Sequence, residues 1–145
     1  MRLLLISSSN VHGYGYLDHA EPEIRRTLEG IRSVAFVPFA LQNVDAYTEK
    51  VRERLDRMGF AVTQVRGRAD VESAEAIFTG GGNTFRLLKT LYELDLISAI
   101  RDRVLNHGVP YLGSSAGTNM AMPTIKTTND MPIVYPPSFD ALNLV

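Results

Sequence analysis

The chain has 145 residues, 45% of them apolar and 21% charged, with a formal net charge of −1; these proportions belong to one globular domain and exclude disorder. A chain of this size buries roughly 68–70% of the surface its unfolded form exposes, so it supports one core but not two full domains. Fifteen basic residues against sixteen acidic ones leave no electrostatic footprint for a phosphate backbone or an anionic membrane, and neither is expected as a partner.

The N-terminal MRLLLISSSN holds too short an apolar run for a signal peptide or a membrane span, which predicts a cytoplasmic protein. Leu3 to Ile6 is a continuous apolar run opening into Ser7-Ser8-Ser9-Asn10, the pattern of a strand buried on both faces. Asp18 is placed to cap a helix whose apolar positions are Ala20, Ile24, Leu28 and Ile31, with Pro22 early enough to be harmless. Ser33 to Val37 forms a second buried strand ended by Pro38. From Asn43 to Gly59, Val44, Tyr47, Val51, Leu55 and Met58 recur at helical spacing, with Glu and Arg on the other face and Gly59 as the stop.

Phe60 to Val65 and Ala74 to Thr79 make strands three and four, the latter running into Gly80-Gly81-Gly82-Asn83. Helical spacing follows from Thr84, breaks near Asp95 and resumes through Ile97, Ile100 and Val104 until Asn106-His107-Gly108. Val109 to Gly113 is the fifth strand. Strands alternating with helices predict a single α/β domain over residues 1–145, a three-layer sandwich around a parallel sheet with right-handed crossovers. After Met122 four prolines predict an extended, loop-like excursion. The chain stops on apolar residues with no charged tail, which reads as a cut end.

With no cysteine in the chain, disulfides, thiolate metal sites and a cysteine nucleophile are excluded by inventory, and no metal or other cofactor is expected. Gly113-Ser114-Ser115-Ala116-Gly117 matches G-x-S-x-G, which at average Gly and Ser usage arises by chance in about one chain in twenty of this length. Its place at the end of a buried strand and the start of a small-residue helix adds weight, because a sharp strand–turn–helix holds the serine exposed and strained. The flanking glycines then answer close packing that leaves no space for a Cβ, and Ser115 reads as a nucleophile near a helix N-terminus.

Acyl transfer needs two N–H donors for the oxyanion, and the elbow supplies one from Ala116. Gly82 is the candidate for the other, since the Gly80–Asn83 run ends strand four on the same carboxyl edge of the sheet. A plain tight turn is the alternative; a P-loop phosphate cradle would need a lysine that does not follow until Lys89. For the base, the chain offers His12, His19 and His107. His107 falls at the amino edge, roughly 17–20 Å from the elbow, His19 on the first helix, and His12 in the mobile-looking loop after strand one. Asp130, fifteen positions after the serine, suits the order Ser, Asp, His, or else is a turn residue organising a proline-rich loop.

The segments LLLISSSN, VAFVPFA, TGGGNTFRLLK, GSSAGTNMA and PTIKTTNDMPIVYPPSFDALNL together resemble the serine peptidase family that contains peptidase E, the α-aspartyl dipeptidase, and cyanophycinase. The resemblance implies a flavodoxin-like sheet related to glutamine amidotransferase domains, whose elbow cysteine is absent here. It implies Ser115 as nucleophile, Gly82 and Ala116 as oxyanion donors, Asp130 in the catalytic surroundings, and Asn83 and Asn129 as substrate contacts. It also implies that the catalytic histidine, a later Glu and a substrate-binding arginine lie beyond the segment matching Asp140 to Leu144. The expected function is hydrolysis of the peptide bond after an N-terminal aspartate, with other aspartyl-linked substrates, or ligand binding without catalysis, as alternatives. Expected partners are a small aspartyl peptide, a second chain or C-terminal segment that completes the site, and a homodimer. Lacking those parts, the 145 residues are expected to be inactive alone and to expose an unpaired strand with an apolar patch. Ser114 stands where familiar members carry a larger residue, which would widen the entrance.

Overall fold

In the computed structural model, which describes residues 1–145, five short strands form one parallel sheet in the order β1-β5-β4-β2-β3. They are β1 (Leu3–Ile6), β2 (Ser33–Val37), β3 (Ala61–Gln64), β4 (Ile77–Thr79) and β5 (Tyr111–Ser114). The period of two sends alternate side chains to opposite faces. Val34, Phe36, Phe78 and Leu112 face one core and Ala35, Val37, Ile77 and Tyr111 the other. Helices α1 (Glu21–Thr27) and α2 (Val44–Asp56) cover the first face. Helices α3 (Arg68–Glu72), α4 (Thr84–Glu93), α5 (Ile97–Leu105) and α6 (Ala116–Met120) cover the second. The expected three-layer α/β sandwich is therefore present. No helix is long and apolar enough to cross a membrane.

Several local expectations change. The break near Asp95 is real: Asp95 takes φ 54° between α4 and α5. Asp18 does not cap α1; it opens a 3-10 turn, and its carboxylate accepts from the Gly15 N–H and from Arg54. Helix α3 escaped notice because only Val71 of its five residues is buried, which leaves no period to read. Strand β1 lies at a sheet edge with β5 as its one neighbour, so Leu3, Leu4 and Leu5 are half-buried rather than enclosed on both faces. The 122–145 excursion is irregular, yet Ile125, Ala141, Leu142 and Leu144 are buried in the second core. Backbone bonds from Leu142 to Met120 and from Leu144 to Ala121 fasten it, while Met131, Ile133 and Tyr135 between them stay exposed.

Helix α2 buries one charged residue among Tyr47, Thr48, Val51 and Leu55. Arg54 is 6% exposed and donates to the Tyr16 carbonyl, Asp18 and Glu21, so one guanidinium ties the 15–21 segment to α2. Arg54→Met is expected to cost about 1–3 kcal/mol, below the value for a fully enclosed pair because Asp18 and Glu21 keep solvent contact. The hydrogen bond from Arg54, then that from Arg25, holds the Glu21 carboxyl below its ordinary value of 4.5. A depressed carboxyl stabilises the fold above its unfolded pKa and loses that contribution as pH falls through the folded one. Urea titrations from pH 7 to pH 3 should therefore show a decline below about pH 4.5 that is smaller in Arg54→Met. Parallel decline in both proteins would contradict the assignment.

Candidate active site

Strand β5 turns into α6 at Ser115, which has φ 55° and ψ −108°, a conformation that L residues rarely adopt. The strain, of order 1–3 kcal/mol, is held by surrounding bonds. The Ser115 N–H donates to Ile6 O at 2.8 Å, Ser115 O accepts from the N–H groups of Thr118 and Asn119, and Thr118 Oγ1 donates to Ile6 O at 2.7 Å. The serine side chain is exposed, and its Oγ makes no hydrogen bond within the chain. The glycines flanking it sit where expected. A Cβ on Gly113 would lie 2.5 Å from Gly117 O, and one on Gly117 would lie 2.0 Å from Thr79 O. Helix α6 has only five residues, so what it offers Ser115 is the unspent Ala116 N–H rather than a macrodipole.

The turn after β4 yields to an accounting of its N–H groups. Gly80 donates to Val37 O at 3.1 Å, Gly81 to Tyr47 Oη at 2.8 Å, Asn83 to Ala40 O at 2.8 Å and Thr84 to Asp130 Oδ2 at 2.9 Å. Only Gly82 keeps a free donor. Its φ of +131°, and an Ala40 O that would lie 2.4 Å from any Cβ, require glycine there. A phosphate cradle needs several converging free donors, so this turn does not form one. The run lies against the nucleophile candidate: a Cβ on Gly81 would be 3.1 Å from Ser115 Cβ and 3.7 Å from its Oγ.

Asp130 meets this turn rather than the serine. Its carboxylate accepts from both the N–H and the Oγ1 of Thr84, and Thr84 Oγ1 is also contacted by Asn119 and Thr128. Asn83 Oδ1 accepts from the Arg86 N–H and so caps α4, while its Nδ2 donates to Met131 O at 2.8 Å. Asn129 is exposed, with no bonded side-chain partner in the chain. None of the three histidines reaches the elbow's cleft. His107 pairs with Asp102 at 3.2 Å beyond the end of α5, His19 stacks edge-on with Tyr14, and His12 sits on an exposed turn. Ser114 is fully buried, so the residue at this position does not set the width of the entrance.

Ser115, Gly81 and Gly82 line one part of an open cleft of about 590 Å³ at the carboxyl ends of the strands, where open α/β sheets bind ligands. The remaining wall comes from the loops after β1 and β2 and from α2, and includes Ser9, Tyr16, Tyr47 and Lys50. Lys50 is its one charged residue, and no carboxylate lines it. No three His, Asp or Glu side chains converge to ligate a metal. The Ser7–Asn10 run on the carboxyl edge was a visible pointer to one wall. Tyr47 gave no such signal, since a tyrosine at an apolar helix position reads as core, and neither did Tyr16, which lies in the loop before the first helix.

A family model described as peptidase family S51 matches residues 3–145. A probable alpha-aspartyl dipeptidase of Drosophila melanogaster is 52% identical over 149 residues, covering 99% of this chain and 62% of that protein. Peptidase E of Streptomyces coelicolor is 48% identical over 149 residues, covering 100% and 61%. The chain thus spans about three fifths of the length of the curated relatives it matches. Among solved structures, a candidate peptidase E protein from Listeria monocytogenes superposes with a TM-score of 0.78 at 28% identity, covering 99% of this chain and 74% of that one. A glutamine amidotransferase superposes with a TM-score of 0.57 at 21% identity over 75% of this chain and 51% of its own, a likeness of fold alone. With the serine elbow in place and the family model matching nearly from end to end, the chain belongs to peptidase family S51.

Proposed function

We propose that this chain carries the nucleophile and oxyanion hole of a serine dipeptidase that cleaves the peptide bond after an N-terminal aspartate. The supporting observation is the strained, exposed Ser115 in a cleft that Gly82 also lines, with the N–H groups of Gly82 and Ala116 both unspent. In this mechanism Ser115 Oγ attacks the scissile carbonyl carbon as its proton passes to a base. The carbonyl oxygen becomes an oxyanion between the two N–H groups. Collapse expels the leaving amine, which takes up the proton and leaves an aspartyl ester on Ser115; water then hydrolyses the ester to free aspartate and restores the hydroxyl.

The base is a histidine from outside residues 1–145, supplied by a continuation of the chain or by a second chain, because none of the three present lines the cleft. Asp130 acts through Thr84, holding the start of α4 and with it the Gly82 turn. Asn83 shares that task, and Asn129, unpaired and exposed, remains free for substrate. A cleft with one cation and no carboxylate suits an aspartyl dipeptide, whose two carboxylates outweigh its one ammonium, and a cytoplasmic setting suits such a substrate. The test is hydrolysis of Asp-Leu by the protein at its natural length, in parallel with a branched aspartyl polymer. Release of leucine is the expected result. Cleavage of the polymer alone would favour the other aspartyl substrates, and binding of Asp-Leu without turnover would favour a non-catalytic protein.

A further inference from the structure

We infer that Tyr47 is a positioning residue for catalysis, which sets the oxyanion hole by fixing the peptide that precedes Gly82; the inference rests on the serine-hydrolase reading above. Three glycines in succession have no side chains to hold them, so their conformation must be imposed from outside. Tyr47, in the first turn of α2, is 8% exposed and stands edge-to-face against Phe36, with ring centroids 5.0 Å apart. Its Oη accepts the Gly81 N–H at 2.8 Å in the buried interior. That bond occupies the Gly81 donor and leaves Gly82 with the next free N–H in the run. Gly80 is shaped around the same phenol: a Cβ there would lie 2.5 Å from Tyr47 Oη and 2.8 Å from Phe36 Cζ. Burial raises the pKa of Tyr47, and that of Tyr16 beside it, so the ring stays neutral and its oxygen remains a hydrogen-bonding partner rather than a competing anion. One side chain 34 positions upstream of Gly81 thus decides which glycine of the run keeps a free donor.

The test uses the protein at its natural length and Tyr47→Phe, which keeps the ring and removes the acceptor. The expected result is a fall in kcat for Asp-Leu of about tenfold, a KM within about twofold, and a far-UV spectrum like that of the wild type. Affinity for an aspartate analogue bearing a boronic acid in place of its α-carboxyl, which forms a tetrahedral adduct on the serine, should fall in step with kcat. Affinity for free aspartate should not change. Gly80→Ala, which displaces the phenol, should reproduce the loss and add little to it in the double variant. Wild-type kcat and boronate affinity in Tyr47→Phe, or additive losses in the double variant, would overturn the inference while leaving the nucleophile in place. A wild-type protein that does not hydrolyse Asp-Leu would instead overturn the catalytic reading and the inference with it.

Discussion

Ser115→Ala should abolish Asp-Leu hydrolysis, with kcat falling by about 10⁴- to 10⁶-fold, because the oxyanion donors and binding groups that remain account for little of a serine hydrolase's rate. Folding should be untouched. The substitution removes one exposed oxygen that bonds to nothing else in the chain, and alanine bears the same backbone strain as serine, so stability should change by less than about 0.5 kcal/mol. A companion variant exposes the strain itself. Ser115→Gly should be equally inactive but more stable by about 1 kcal/mol, since glycine adopts φ 55° and ψ −108° without a Cβ and returns part of that relief as unfolded-state entropy. Thermal unfolding with the Asp-Leu assay on both variants checks the pair. Residual turnover in Ser115→Ala, or a less stable Ser115→Gly, would contradict it.

Gly117→Ala carries the largest expected structural effect. The added methyl would stand 2.0 Å from Thr79 O and 2.7 Å from Thr79 C. These atoms belong to the backbone of β4, which is paired on both sides by β2 and β5 and has no room to retreat. Helix α6 must lift away instead, carrying the elbow with it, at a cost of about 3 kcal/mol or more. Gly67→Ala serves as the control: nothing lies within 4 Å of its Cβ position and its φ is −165°, so it should stay within about 0.5 kcal/mol of wild type. Chemical denaturation of both variants tests the contrast, and a mild Gly117→Ala would show that the elbow is packed more loosely than the distances imply.

The contrast between these glycines marks where sequence was informative. The elbow was legible because G-x-S-x-G follows an apolar run that can only be a buried strand, and the two glycines have a steric reason at that junction. The parallel sheet was legible for the same cause, since strands enclosed on both faces carry continuous apolar runs. Pairing across long separations was not. Gly82 was chosen in the sequence with no contact to separate it from Gly80 and Gly81; that reason appears only once Tyr47, Ala40, Val37 and Asp130 take up the other N–H groups, and these partners lie 34 to 46 positions from the donors they satisfy. Arg54 looked like one more solvent-facing arginine because the 15–21 segment that encloses it has no periodicity. Ser114 was read as widening an entrance because familiar members of the resembled family carry a larger residue there, yet the side chain is buried.

The central claim, that Ser115 Oγ is the attacking atom, is tested most directly by treating the natural-length protein with a fluorophosphonate and locating the adduct by peptide mass spectrometry. The expected result is a single modification on Ser115 that rises in step with the loss of Asp-Leu hydrolysis. Hydrolysis that is lost while the adduct resides on another residue, or that persists with Ser115 fully modified, would contradict the account.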